Sequence, residues 1–265
     1  MGELIFIGLG LYDEKDISVK GLEAARNADK VYSEFYTSDL AGSTLEDVEK
    51  QIGCGVKRLS REEVENEALP LKDALDKKVA FLTAGDPMAA TTHVDLRLRA
   101  EKEGVTTSMI HSSSIFSAVP SLLGVQHYKF GRTVTLPYPK EDRDYPVSPY
   151  KNISENKERG LHTLVLLDIN SEDGEYMDVN EGVEALMALE KRSKADVITE
   201  DTLLAGLARV GSSDPDIKAG GPKELLKHDF GPGLHCMVVF GSLHFMEIDS
   251  LVQLADAPEE IKERF

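Results

Sequence analysis

The sequence predicts an α/β protein built as two lobes, and three observations carry that prediction. Short β-rich apolar runs alternate with capped helical segments up to Ser112, the order that builds a mainly parallel sheet with helices on both faces. One of these runs, Lys78 to Ala84, is apolar almost throughout, as a strand covered on both faces must be. After Ser112 the pattern changes, which divides the chain into 1–112 and 113–265. With 265 residues, 41% of them hydrophobic, there is apolar material for two cores.

The elements follow in order. "LIFIGLG", Leu4 to Gly10, reads as the first strand, closed by glycines. Ser18 caps a helix with Val19, Leu22 and Ala25 on one face. Lys30 to Tyr36 is the second strand, Thr44 to Ile52 a helix and "GVKRLS" a short strand. Ser60 with Glu63 forms a capping box, and the helix it starts is broken or kinked near Pro70. Thr92 with Asp95 marks another helix start after the buried strand, and Val105 to His111 is the next strand.

In the second half "HSSSIFSAVPSLLGVQ" reads as a loop entering a small-residue helix, and "RTVTLPYP" as a strand. The proline- and charge-rich "YPKEDRDYPVSPYKN" reads as an irregular connection. Later strands are His162 to Ile169, Thr202 to Gly211 and His235 to Gly241, with helices near Asn180 to Lys191 and Pro222 to Lys227.

Charge limits the partners. The formal net charge is -17, and residues 168–201 alone hold eleven acids against three bases. An acidic surface repels phosphate backbones, so nucleic acid is not an expected partner. Cys54 and Cys236 form no CxxC motif and fit a reducing compartment. No apolar stretch approaches the roughly 18 residues that span a membrane, and no secretory signal is visible, so a soluble cytoplasmic protein is expected.

Common catalytic signatures are missing: there is no GxxxxGK[ST] loop, no GxSxG elbow and no HExxH helix. Gly8-Leu9-Gly10 resembles the start of a dinucleotide fingerprint but lacks its third glycine, so alone it reads better as a plain strand-to-helix turn than as a ligand loop. "TAGDPMAATTH", Thr83 to His93, is more informative because it follows a buried strand, where open α/β sheets bind ligands. Gly85 admits a close ligand, Pro87 fixes the turn and Asp86 offers a carboxylate; the alternative is a tight turn whose Asp86 satisfies loop amides. The acidic run Glu172 to Asp178 lacks the spaced DxDxDG of a calcium loop and reads as a solvated connection, and no metal is expected. His244 and Glu247, in a strand-like context, would point to opposite faces and be structural. Ser112 to Ser114 read as a loop lining a pocket, and His235 as a packed histidine heading a strand.

The order of motifs is specific. "FIGLGLYDEKDISVKGLEAARNADKVYSEFYTS", "GDPMAATTH", "IHSSSIFSAV", "YKFG", "ERGLHTLVLLDI", "EDTLLAGLARVGS" and "DFGPGLH" together resemble the diphthine synthase family of the tetrapyrrole methylase superfamily, over essentially the whole chain. The resemblance implies a tetrapyrrole methylase-like fold, a homodimer, and S-adenosyl-L-methionine bound in a cleft between two lobes. Cofactor contacts implied position by position are Leu11, Asp86, Ala89, Ser114 and Ile115 in the first half, with Leu167, Val210 and His235 in the second. The implied substrate is translation elongation factor 2 bearing a 3-carboxy-3-aminopropyl group on a histidine, whose amine is methylated repeatedly in diphthamide biosynthesis.

Methyl transfer from a sulfonium to an amine mainly needs alignment, so a missing nucleophile or metal does not conflict with it. The amine must be neutral, which a water-poor pocket favours. Asp86 and His93 lie nearby in sequence, but neither is assigned as a base. Small residues such as Ala89, Ala90 and Ala118 would leave room for a growing trimethylammonium. The alternative of the same fold is a uroporphyrinogen or precorrin methyltransferase, whose polycarboxylate substrates want a basic cleft; the alternative of another class is a non-catalytic nucleotide-binding protein. For an acidic chain to dock a large factor, residues 168–201 should face away from the mouth, with Lys129, Arg132, Lys151, Lys157 or Arg159 nearer to it.

Overall fold

The computed structural model describes residues 2–139, 144–170 and 174–264. Two compact units divide the chain, Met1–Ile115 with Ser171–Gly174, and Phe116–Asn170 with Glu175–Phe265. Among the described residues no helix is long and apolar enough to cross a membrane.

The first unit is built from β1 (Glu3–Gly8), α1 (Val19–Arg26), β2 (Lys30–Glu34), α2 (Leu45–Ile52), β3 (Lys57–Leu59), α3 (Arg61–Glu65), α4 (Leu69–Ala74), β4 (Lys78–Thr83), α5 (His93–Lys102) and β5 (Thr106–Ile110). Its five strands pair in parallel in the order β3-β2-β4-β1-β5. Ile5, Ile7, Ala80 and Leu82 share one core with α1 and α2, whereas Leu4, Phe6, Val79 and Phe81 share another with α3, α4 and α5. β1 and β4 are therefore apolar on both faces, because each pleat side meets helices.

Local chemistry sets the boundaries. Ser18 accepts the Gly21 amide, and the Thr44/Asp47 and Ser60/Glu63 capping boxes start α2 and α3. The helix after Ser60 breaks as expected, and Pro70 lies in the first turn of α4, where a missing amide costs nothing. One expectation is corrected: Val19 is 73% exposed, because α1 packs through Gly21, where a Cβ would stand 2.9 Å from Ile7 Cγ2. Thr92 stands immediately before α5, as expected, with Asp95 in the first turn; its hydroxyl donates to Glu65 at 2.7 Å rather than capping the helix.

The second unit takes in α6 (Ile115–Leu123), which begins at the division, then β6 (Val134–Leu136), α7 (Ser148–Glu158), β7 (Thr163–Leu167), β8 (Ile169–Asn170), β9 (Glu175–Tyr176), α8 (Val179–Ser193), β10 (Leu204–Ala208), β11 (Asp216–Gly220), α9 (Pro222–Leu225), β12 (His235–Val239), α10 (Phe245–Leu254) and α11 (Ile261–Arg264). Its five-stranded sheet runs β11-β10-β12-β7-β6 and is antiparallel except for the β6–β7 pair. Tyr150 and Ile153 of α7, and Val183, Leu186 and Leu189 of α8, pack with Val165, Leu204, Met237 and Val239 of the sheet.

Here the structure adds elements. The proline-rich connection ends in α7, with Pro149 in its first turn. His244 and Glu247 are not on opposite faces of a strand: they flank the start of α10, Glu247 Oε2 accepting the His244 amide at 2.8 Å and His244 Nδ1 the Met246 amide at 3.4 Å. Within the acidic run, residues 172 and 173 lie outside the described residues; Glu175 and Tyr176 form a strand and Asp178 caps α8.

Candidate functional site

The first unit has a topological switch point. β1 continues into α1 on one face of the sheet, whereas β4 continues into α5 on the other, so the ends of these adjacent strands open a crevice, the usual ligand position in such sheets. Both glycine motifs lie there. Gly10 and Gly85, with φ of +92° and +71°, join the strand ends in a bridge. Only glycine fits the approach: a Cβ on Gly8 would stand 2.5 Å from Gly85 O, and one on Gly10 2.3 Å from Asp16 Cβ. A Cβ on Gly85 would meet nothing within 4 Å, so its α-carbon borders open space.

Two carboxylates order the turns. Asp16 Oδ2 accepts the amides of Leu11 at 3.1 Å and Tyr12 at 2.7 Å. Asp86 Oδ2 lies 2.8 Å from His111 Nδ1 and 3.4 Å from the Ser112 amide, and Oδ1 accepts the Met88 amide at 3.3 Å. The Ala89 amide donates to Asp86 O at 3.2 Å, and Ala90 has a left-handed φ of +57°. Ser112 hydroxyl donates to Asp16 O at 3.2 Å, so the segment leading to Ser114 and Ile115 is tied to both turns. Leu11, Asp86, Ala89, Ser114 and Ile115 therefore belong to neighbouring strand ends of one sheet, all half-buried. Asp16 and His111 complete this arrangement. Neither stood out in the sequence, where Asp16 is one of four charged residues in a row and His111 opens a polar run of four.

In the second unit, Leu167, Val210 and His235 meet at one end of the sheet. Leu167 ends β7, Val210 follows β10, and His235 begins β12, pairing with Ala208. Leu167 and Val210 are buried apolar residues, fit for van der Waals contact. Burial holds the His235 imidazole below its ordinary pKa, and among the described residues its buried Nε2 has no hydrogen-bond partner. Three neighbouring strands thus bring Leu167, Val210 and His235 to the same end of the sheet.

The acidic segment is heavily used by the fold. Asp178 and Glu181 cap α8, Glu190 accepts the four amides of residues 195–198, and Asp168 accepts the Tyr138 amide. Two of the bases proposed for docking are also committed. Lys129 reaches Glu247 and the Ser242 carbonyl, and half-buried Lys157 reaches the Val197 carbonyl. Arg132, Lys151 and Arg159 remain exposed. Among the described residues no group of three His, Cys, Asp or Glu is arranged to hold a metal.

Residues 3–206 match the family of Tetrapyrrole (Corrin/Porphyrin) Methylases. The chain is 54% identical over 254 residues to a diphthine synthase of Methanocella arvoryzae, covering 95% of this chain and 98% of that one. It is 48% identical over 261 residues to that of Methanothermobacter thermautotrophicus, covering 98% of each. A crystal structure of diphthine synthase superposes with a TM-score of 0.90 at 40% identity, over 98% of this chain and 99% of that one.

Proposed function

The chain belongs to the diphthine synthase family of tetrapyrrole methylases, and from that premise we propose that it uses S-adenosyl-L-methionine to methylate translation elongation factor 2. The acceptor is the amine of a 3-carboxy-3-aminopropyl group on a histidine, methylated three times on the way to diphthamide. The enzyme is a methyltransferase. It acts in the cytoplasm as a homodimer, which light scattering checks.

The observation that carries the cofactor reading is the Gly10–Gly85 junction at the switch point, where backbone can approach a ligand and a carboxylate stands beside it. The residues fit the cofactor. Leu11, Ala89 and Ile115 offer apolar surface, Asp86 and Ser114 polar atoms, and Leu167, Val210 and His235 the same mixture in the second unit. When bound, S-adenosyl-L-methionine supplies an electrophilic methyl group on a sulfonium.

The chain's own contribution is alignment and desolvation. His111 and the Met88 and Ser112 amides fix the Asp86 carboxylate, so it presents one orientation to a polar ligand group. The incoming amine has an ordinary pKa of roughly 8 to 10 and reacts as the neutral form. Asp86 is already engaged by these donors and His93 is buried, so neither is assigned the amine's proton, and solvent takes it. Half-buried Ala89 and exposed Ala90 leave space as methyl groups accumulate. Incubation with methyl-labelled S-adenosyl-L-methionine and the unmodified elongation factor tests the reading: label should move to the factor, and its failure to move favours a binding protein.

A further inference from the structure

Behind the Asp86 turn, at the ends of β2 and β4, the first unit buries a polar cluster that contains none of the residues proposed to touch cofactor. Glu34 and Thr83 are register partners, and Ser33, Glu34, Thr83 and His93 are at most 1% exposed. Glu34 Oε2 accepts the amides of Tyr36 and Thr37, each at 3.0 Å, and the Thr37 hydroxyl donates to Oε1. Oε1 also faces His93 Nε2 at 3.5 Å, and this buried nitrogen has no hydrogen-bond partner among the described residues. Across the same ring, Nδ1 stands 3.4 Å from the carbonyl of Pro87, the residue after Asp86. Phe81 and Tyr36 hold the ring edge-on, at centroid distances of 5.1 and 6.3 Å.

Proton counting restricts this arrangement. A carbonyl oxygen only accepts, so Nδ1 must carry hydrogen. In a neutral ring Nε2 is then an acceptor, and it faces a carboxylate oxygen that also accepts. Two buried acceptors in that position repel unless a proton lies between them. Burial pushes the Glu34 carboxyl up against its hydrogen bonds, and burial pulls the His93 imidazole down to about 4, so both groups favour their neutral forms, a carboxylic acid facing a neutral imidazole. The other charged groups nearby belong to α3 and α5. Arg61 lies over the Tyr36 ring, Glu65 pairs with Arg61 and Thr92, and exposed Asp95 pairs with Arg99.

We propose that Glu34 and His93 are a positioning pair for the Asp86 turn: the proton held between them commits the His93 Nδ1–H to the Pro87 carbonyl and so ties the turn to the end of β2. The assignment rests on the reading that this turn holds the cofactor. A shift of Pro87 would carry Asp86 and Ala89 with it, while neither Glu34 nor His93 touches the ligand.

Calorimetric titration with S-adenosyl-L-methionine, together with thermal midpoints, tests the pair in His93→Leu, His93→Asn and Glu34→Gln. His93→Leu should raise the cofactor Kd about tenfold, as expected for a lost buried hydrogen bond and a loosened turn. His93→Asn, whose amide nitrogen falls near the position of Nδ1, should restore most of that loss. Glu34→Gln should stay within about threefold of wild type, because a carboxamide donates to Nε2 as the acid does. Nitrogen NMR should show His93 at about pH 7 as the neutral Nδ1–H tautomer. A folded His93→Leu variant that binds like wild type would overturn the proposal, as would an Nε2–H tautomer or an imidazolium. If His93→Leu does not fold, the other two variants and the tautomer decide. Wild-type protein that binds no cofactor would overturn the cofactor reading, whereas wild-type binding with unaffected variants overturns the pair alone.

Discussion

Gly10 and Gly85 bond to each other through their backbones, Gly10 N to Gly85 O at 3.2 Å and Gly85 N to Gly10 O at 2.6 Å. The bridge fastens the ends of β1 and β4 where their connections leave for opposite faces of the sheet. Its two members should respond differently to one added methyl. Gly10→Ala drives a Cβ into Asp16 at a φ of +92°, and should cost about 2–4 kcal/mol of stability together with the crevice. Gly85→Ala meets open space at a φ of +71°, and should cost only about 1 kcal/mol while lowering cofactor affinity at least about tenfold. Thermal midpoints and calorimetric titration separate the two, and a Gly85→Ala protein that binds cofactor like wild type would make this a plain turn.

Asp86→Asn removes the charge opposite His111 and keeps the side chain's shape. The contact is open on the histidine side, 69% exposed, so stability should change by less than about 1 kcal/mol. Cofactor affinity should nevertheless fall about tenfold or more, since the ordered carboxylate is the site's main polar feature. A change confined to stability would assign Asp86 to satisfying loop amides only.

Acid should act on the second unit through Glu247. Burial raises its carboxyl, but Lys129 and the amides of His244 and Gln126 outweigh this and hold it at about 2. A carboxyl held below its unfolded value contributes stability that is complete above an ordinary pKa of roughly 4.3 and is lost as pH falls through the folded value. Wild type should therefore lose stability between about pH 4.5 and 2, with a share on the order of 2 kcal/mol from this group. Denaturant unfolding across that range should show a smaller loss in Glu247→Gln, and an unchanged slope would contradict the assignment.

The exposed bases Arg132, Lys151 and Arg159 are the ones left to attract an acidic partner surface. Reversing all three to Glu should slow association with the elongation factor about tenfold at low salt, and the effect should fade as salt rises. Lys129→Glu should instead destabilise the fold by breaking its link to Glu247. Stopped-flow association rates and thermal midpoints read the two effects, and an unchanged rate in the triple variant would sink this docking surface.

Much of the first unit was legible because its signals are local. The apolar run of β4, the Ser60/Glu63 box and the break at Pro70 each depend on neighbours in sequence. α7 was missed because Pro149 reads as a breaker although it lies in the first turn, and α10 because a histidine seldom marks a helix start. β11 is an edge strand with Asp216 and Lys218 among its five residues, so no apolar run announces it.

The candidate site divides in the same way. Gly10 and Gly85 mark positions where only glycine suits the backbone, and that much is visible in a sequence. The pairs Asp86–His111 and Glu34–His93 join residues 25 and more positions apart, and no local pattern predicts them. Leu167 and Val210 are ordinary apolar residues at strand ends, with no chemistry of their own to single them out. Only resemblance to a family pointed to them.

Mass spectrometry of the elongation factor's modified histidine peptide, after reaction with S-adenosyl-L-methionine and this enzyme, tests the central claim most directly. The expected product carries three methyl groups on the amine of the 3-carboxy-3-aminopropyl side chain. A peptide that gains no methyl group, from protein shown by calorimetry to bind the cofactor, would contradict the assignment.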